Sequence, residues 1–148
     1  GTGAVTGAIV DALPKSGKLL AFEINPAFCR LLGRRFPNIR VVKDSAVLTK
    51  QYLRDAGVER CDAIISGLPF AGFDETTQNA LLDVIVESLR PGGAFVTFGY
   101  AQLRLLPGGR KIRAKLEERF KVVEKTPTIW RNIPPAFAYR VFNPPAAA

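Results

Sequence analysis

The chain has 148 residues, 47% of them hydrophobic, and can bury one core, so a single domain with one principal site is expected. It holds no histidine, which excludes imidazole-based triads, histidine metal sites and the usual general base; its two cysteines, Cys29 and Cys61, form no CxxC pair and read as small buried hydrophobes. Lysine plus arginine exceed aspartate plus glutamate by 21 to 13, a net charge of +8 with the excess in residues 30–40 and 104–131, so the favoured partner is anionic: nucleic acid or an acidic lipid surface.

Residues 1–7, Gly-Thr-Gly-Ala-Val-Thr-Gly, make a glycine-rich turn running directly into a helix over 4–13, which Pro14 and the turn at Ser16 and Gly17 stop. Such a turn normally follows a buried strand, so a first strand is expected ahead of Gly1, outside the chain. Residues 18–24 read as a strand with Glu23 near its carboxyl end. Asn25 as N-cap and Pro26 in the first turn begin a helix that reaches about Phe36 and ends at Pro37. A strand over 38–43 leads to Asp44, and a weak helix over 47–56 closes at Gly57.

Residues 61–66 are a continuous apolar run, the pattern of a strand covered on both faces, and deliver the loop Ser66-Gly67-Leu68-Pro69-Phe70. A helix over 75–89 carries Ala80, Leu81, Val84, Ile85 and Ser88 at helical spacing, and Pro91, Gly92 and Gly93 terminate it. A strand over 94–100, a basic helix over 110–120 and strands over 121–128 and 136–142 complete the pattern. Between the last two lies an aromatic, proline-rich stretch over 130–135, readable as a rigid connection plugging the core. The closing Pro-Pro-Ala-Ala-Ala tail is expected to fray. Alternating strands and helices predict an α/β fold, Rossmann-like, with a mostly parallel sheet and an antiparallel strand at the carboxyl end. No apolar run approaches the roughly 18 residues that span a bilayer, so a cytoplasmic protein, free or peripheral at the membrane's inner face, is expected.

The glycine turn leaves backbone N–H groups unpaired and lets a ligand approach the chain, while an acid about 20 residues later accepts from ribose hydroxyls. Glu23 lies at that spacing from Gly3. Dinucleotides and S-adenosylmethionine both suit this geometry, and the later loops favour the second. Asp44 can reach an adenine edge, and Ser66-Gly67-Leu68-Pro69-Phe70 stands where an amine acceptor would be held beside a sulfonium. Methyl transfer is an in-line displacement that needs alignment and exclusion of water more than imidazole chemistry. Phe70 or Tyr100 could offer an aromatic face to an ammonium group.

Four motifs carry a family resemblance: Gly-Thr-Gly-Ala-Val-Thr at 1–6, Glu-Ile-Asn-Pro at 23–26, Ser-Gly-Leu-Pro-Phe at 66–70 and Trp-Arg-Asn-Ile-Pro-Pro-Ala at 130–136. Over 1–142 the chain resembles bacterial phospholipid N-methyltransferases, which methylate phosphatidylethanolamine and are themselves similar to ribosomal RNA adenine dimethylases. The resemblance implies a class I methyltransferase fold with S-adenosylmethionine as cofactor and no metal. It places Gly1, Thr2 and Gly3 along the cofactor's methionine portion, Glu23 at the ribose, Asp44 and Ser45 beside the adenine, and Ile24 and Ser66 also in contact with the cofactor. Ser66, Leu68 and Pro69 would flank the reacting amine with Tyr100, and Phe70, Tyr100, Arg131 and Asn132 would face the lipid headgroup. The implied partners are phosphatidylethanolamine and an anionic phospholipid surface. Ser66 stands where a dimethylase usually has asparagine, which favours lipid over RNA. Lys43-Asp44-Ser45 replaces the more usual Gly-Asp-Ala.

Overall fold

A computed structural model describes residues 1–103 and 107–143. The proline-alanine tail expected to fray lies outside the described residues. Contacts divide the chain into two compact units, Gly1–Leu48 and Thr49–Ala148, where the sequence reads as one domain.

In the first unit, helix α1 (Ala4–Ala12) leads to strand β1 (Leu20–Phe22), helix α2 (Pro26–Arg35) and strand β2 (Arg40–Val42). The Asn25 side chain accepts from the amides of Ala27 and Phe28 at 2.8 and 3.4 Å, satisfying two donors that a helix start leaves unpaired. β1 and β2 pair in parallel over three residues each, Leu20 to Arg40 through Phe22 to Val42, shorter than the apolar runs that carry them. A strand ends where its ladder partner ends. Leu32 and Val42 are the buried apolar side chains of this unit.

The second unit comprises helix α3 (Thr49–Asp55), strand β3 (Cys61–Ser66), helix α4 (Glu75–Ser88), strand β4 (Leu89–Tyr100), helix α5 (Pro107–Arg119) and strands β5 (Val122–Lys125) and β6 (Ala136–Phe142). Its sheet runs β3-β4-β6-β5, with β3 parallel to β4 and β6 antiparallel to both β4 and β5. This is the α/β arrangement expected, parallel strands closed by an antiparallel carboxyl end. Alternation along β4 sends Phe95 and Thr97 to one face, both buried, and Phe98 and Tyr100 to the other, where they are 42% and 44% exposed. Leu82 of α4, Leu116 of α5 and Val141 of β6, the last opposite Phe95 in the ladder, are fully buried as well.

Three expectations change. β3 is not covered on both faces: Ala63 and Ile65 are exposed, because β3 is the edge strand with a hydrogen-bonded neighbour on one side. Helix α4 ends at Ser88, and Pro91, Gly92 and Gly93 lie inside β4. Gly92 takes a φ of 75°, and a Cβ on Gly93 would meet the carbonyl oxygens of Arg90 and Asp62 at 2.9 and 3.0 Å. Those glycines accommodate an irregularity in the β3–β4 ladder instead of stopping a helix. The buried stripe of α4 is Gln78, Leu81, Leu82, Ile85 and Ser88, turned away from the expected Ala80, which is exposed. Both cysteines are free and half-buried, Cys29 donating to the Glu23 carbonyl at 3.1 Å and Cys61 to that of Ser88 at 3.3 Å. Burial pushes the Cys61 thiol pKa up.

Asp74 caps α4, accepting from the Thr77 amide and hydroxyl at 2.8 Å each. These bonds hold its carboxyl below the usual range. A depressed folded value means that the cap's contribution is complete above the ordinary aspartate pKa and fades as pH falls through the folded one. Asp74→Asn, which keeps an N-cap acceptor without a titrating charge, is expected to flatten the acid limb of a stability-against-pH curve measured by urea unfolding. Ion pairs lie on the surface: Lys50 with Glu87, Arg90 with Asp62, Arg119 with Asp83 and Arg140 with Glu124. Pairs of this kind contribute about 0.2–1 kcal/mol each.

Candidate functional site

The glycine turn and the strand-end acid meet within the first unit. Gly3 is the N-cap of α1 with φ 89°, a conformation that glycine adopts without strain. A Cβ there would lie 2.8 Å from the ring of Phe36 and 3.0 Å from Leu32, so the position admits no side chain. Gly7 donates to the Gly3 carbonyl at 3.0 Å, the first bond of the helix, and no side chain caps the start. First-turn amides are therefore left for a ligand, at the helix end that favours negative charge. The Arg35 guanidinium lies 5.3 Å over the Phe36 ring and donates to the Thr2 carbonyl, fixing the turn from below.

Glu23 follows β1. One carboxylate oxygen pairs with the Gly1 nitrogen and the other accepts from the Asn25 amide at 2.8 Å, so turn and acid sit against one another. Burial raises its pKa, while hydrogen bonds from the backbone amides of Asn25 and Ile24 lower it. Ile24 is 73% exposed beside it, an apolar surface next to a hydroxyl acceptor. At the end of β2, Asp44 accepts from the Ser45 amide at 2.7 Å and the Ser45 hydroxyl from the Val47 amide at 3.4 Å. Seven of the eight residues assigned to the cofactor lie in this unit, and the eighth, Ser66, lies in the second.

The residues assigned to the acceptor lie in the second unit, at one end of its sheet. Ser66 closes β3 opposite Thr97, Tyr100 closes β4 opposite Ala136, and residues 129–135 lead into β6. Carboxyl ends of parallel strands are where open α/β sheets bind ligands. The Ser66 hydroxyl accepts from the Leu68 amide at 3.2 Å, and the Phe70 amide donates to the Leu68 carbonyl at 2.9 Å, curling the loop into the short turn Phe70–Gly72. Phe70 does not face a headgroup. It is 4% exposed, its ring edge-on to Phe73 and to Phe95 with centroids 6.3 and 6.1 Å away, because the turn drives it into the core. Of the two aromatics expected to face an ammonium group, Tyr100 is the exposed one.

Arg131 is exposed; Asn132 is exposed too, but its side-chain amide donates to the Pro134 carbonyl at 2.7 Å and so serves its own loop. Trp130 plugs nothing, being 75% exposed. Gln78, which sequence reading passed over, clamps the acceptor loop: its amide donates to the carbonyls of Phe70 at 2.8 Å and Phe73 at 2.9 Å from a buried position on α4. The available signal was a lone amide within an apolar helical stripe. Gln78→Leu takes this donor from the Phe73 carbonyl and leaves the Phe70 carbonyl with the Phe73 amide at 3.1 Å, and it is expected to cost about 1–2 kcal/mol in urea unfolding, and to lower kcat more than it raises KM for the cofactor. Among the described residues no cluster of three or more cysteine, aspartate or glutamate side chains could hold a metal ion.

No family model matches the chain. The chain is 33% identical over 144 residues to the ornithine lipid N-methyltransferase of Singulisphaera acidiphila, covering 94% of this chain and 70% of that protein. An rRNA methylase structure from Streptococcus thermophilus matches with a TM-score of 0.71 at 16% identity, covering 97% of this chain and 82% of that one. Human methyltransferase-like protein 13 in complex with SAH matches at 0.70 with 17% identity, covering 98% and 69%. The structural matches establish the Rossmann-like methyltransferase fold. One residue in three shared along nearly the whole chain is a mark of common descent, and it makes this protein one of the class I S-adenosylmethionine-dependent methyltransferases.

Proposed function

We propose that the enzyme N-methylates the amine headgroup of a membrane lipid, phosphatidylethanolamine above all, at an anionic membrane surface on the cytoplasmic side. The observation that carries this reading is the 33% identity with a lipid N-methyltransferase. Ornithine lipid and phosphatidylethanolamine share what the site must recognise, a primary amine on an acyl-chain anchor. S-adenosylmethionine, when bound, supplies a methyl group on a cationic sulfur, open to in-line attack.

The residues fit that cofactor. An uncapped helix start and a turn without room for a Cβ suit the carboxylate of its methionine portion along Gly1, Thr2 and Gly3. Glu23 retains lone pairs for ribose hydroxyls, Ile24 offers an apolar surface to the purine, and Asp44 and Ser45 supply polar edges. At the acceptor, Ser66, Leu68 and Pro69 shape the loop that orients the amine lone pair and excludes water. Tyr100 presents a ring to the ammonium form, and Arg131 a guanidinium to a headgroup phosphate.

The test offers labelled cofactor and the intact protein three acceptors: phosphatidylethanolamine, ornithine lipid and bulk ribosomal RNA. Label in phosphatidylethanolamine is expected. Label in ornithine lipid alone would keep the lipid reading and remove the species; label in RNA alone would remove both.

A further inference from the structure

The loop between β5 and β6 carries an apolar surface that the methyl-transfer site does not use. Ile129 is 62% exposed, Trp130 75% and Ile133 95%, three large apolar side chains within five residues. They are held out by a defined backbone. Ile129 and Ala136 exchange hydrogen bonds at 2.8 and 3.4 Å, the Asn132 amide donates to Ile129, and Ala101 at the end of β4 donates to the Pro135 carbonyl at 2.9 Å. The tip is thus a built protrusion fixed to the sheet end that carries Ser66 and Tyr100.

Its charge has one sign. From Lys125 to the end of the sequence there is no aspartate or glutamate, while Lys125 precedes the apolar group and the exposed Arg131 lies within it, between Trp130 and Ile133. Exposed apolar side chains with an arginine among them and no acidic residue beside them match the boundary of an anionic bilayer, where aliphatic groups enter the acyl region, tryptophan sits at the headgroup level and basic groups meet phosphate. Two isoleucines are poor partners for RNA, which is bound by stacking on rings and by charge.

We infer that residues 129–133 form a wedge that inserts into the surface of an anionic bilayer and sets the acceptor end of the sheet against the lipid headgroups. The inference rests on the lipid reading above and adds a specific docking surface to it. Trp130 is the single tryptophan of this sequence, so its fluorescence reports the contact.

In the intact protein, difference spectra against Trp130→Phe isolate this ring. Vesicles of phosphatidylethanolamine and phosphatidylglycerol are expected to shift its emission to the blue, brominated acyl chains to quench it, and ribosomal RNA to do neither. Trp130→Ser combined with Ile133→Ser is expected to weaken vesicle partitioning about tenfold or more, with an unchanged melting temperature and undiminished methylation of detergent-dispersed lipid. An emission that stays put while the protein binds vesicles, a shift with RNA only, or undiminished partitioning of the double variant would each overturn the wedge. Failure of the unaltered protein to methylate dispersed lipid strikes the substrate reading alone, since the tryptophan signal decides the wedge by itself.

Discussion

Phe95→Ala is expected to destabilise the protein by about 3–5 kcal/mol, a large part of the 5–15 kcal/mol that holds a typical domain together. Phe95 is fully buried in β4, stacked on Phe120 with centroids 6.3 Å apart and edge-on to Phe70 at 6.1 Å. Truncation removes the apolar area and leaves a cavity between the rings of Phe70 and Phe120, which a strand paired on both sides cannot collapse to fill. The site is affected as well, because Phe70 sits in the loop that holds the acceptor. Urea unfolding measures the first effect and methylation by the remaining folded fraction the second. Phe98→Ala on the other face of the strand is the control, expected to cost about 1 kcal/mol or less. Equal losses at 95 and 98 would mean that the core lies elsewhere.

Glu23→Gln is expected to weaken S-adenosylmethionine binding about ten- to a hundredfold. A carboxylate accepting from hydroxyl groups contributes about 1.5–3 kcal/mol, whereas the amide keeps the shape and one acceptor oxygen but loses the charge. The Asn25 amide that bonds Glu23 can donate equally to the glutamine oxygen, so the strand end should survive the change. Calorimetry on the intact protein gives the ratio directly. An unaltered dissociation constant would take Glu23 out of the cofactor site.

Features written in local chemistry were legible before any coordinates. Asn25 and Pro26 announce the start of α2, and Gly3 announces the turn that opens α1, because capping and φ preferences act over a few residues. Features that depend on distant partners were not. Residues 18–24 look like one strand, yet the ladder with β2 limits β1 to three residues. Pro91, Gly92 and Gly93 look like a helix stop until the backbone of Asp62 is seen against them. An aromatic ending a loop has the same letter whether it faces a ligand or the core, which is how Phe70 and Trp130 exchanged roles. Gln78 reads as one polar position of a helix, and its two carbonyl partners become visible only when the loop folds over it.

Of the ion pairs named above, Lys50 with Glu87, Arg90 with Asp62 and Arg140 with Glu124 are exposed on both sides. Dissolved electrolyte screens such contacts, and the core of Phe95, Leu82, Leu116 and Val141 does not depend on them. Attraction between lysine or arginine and phosphate, by contrast, weakens steeply as the same electrolyte rises. A brine wash should therefore lift the protein from a charged surface while leaving it folded, so that recovery from a membrane fraction and loss of native structure become separable operations.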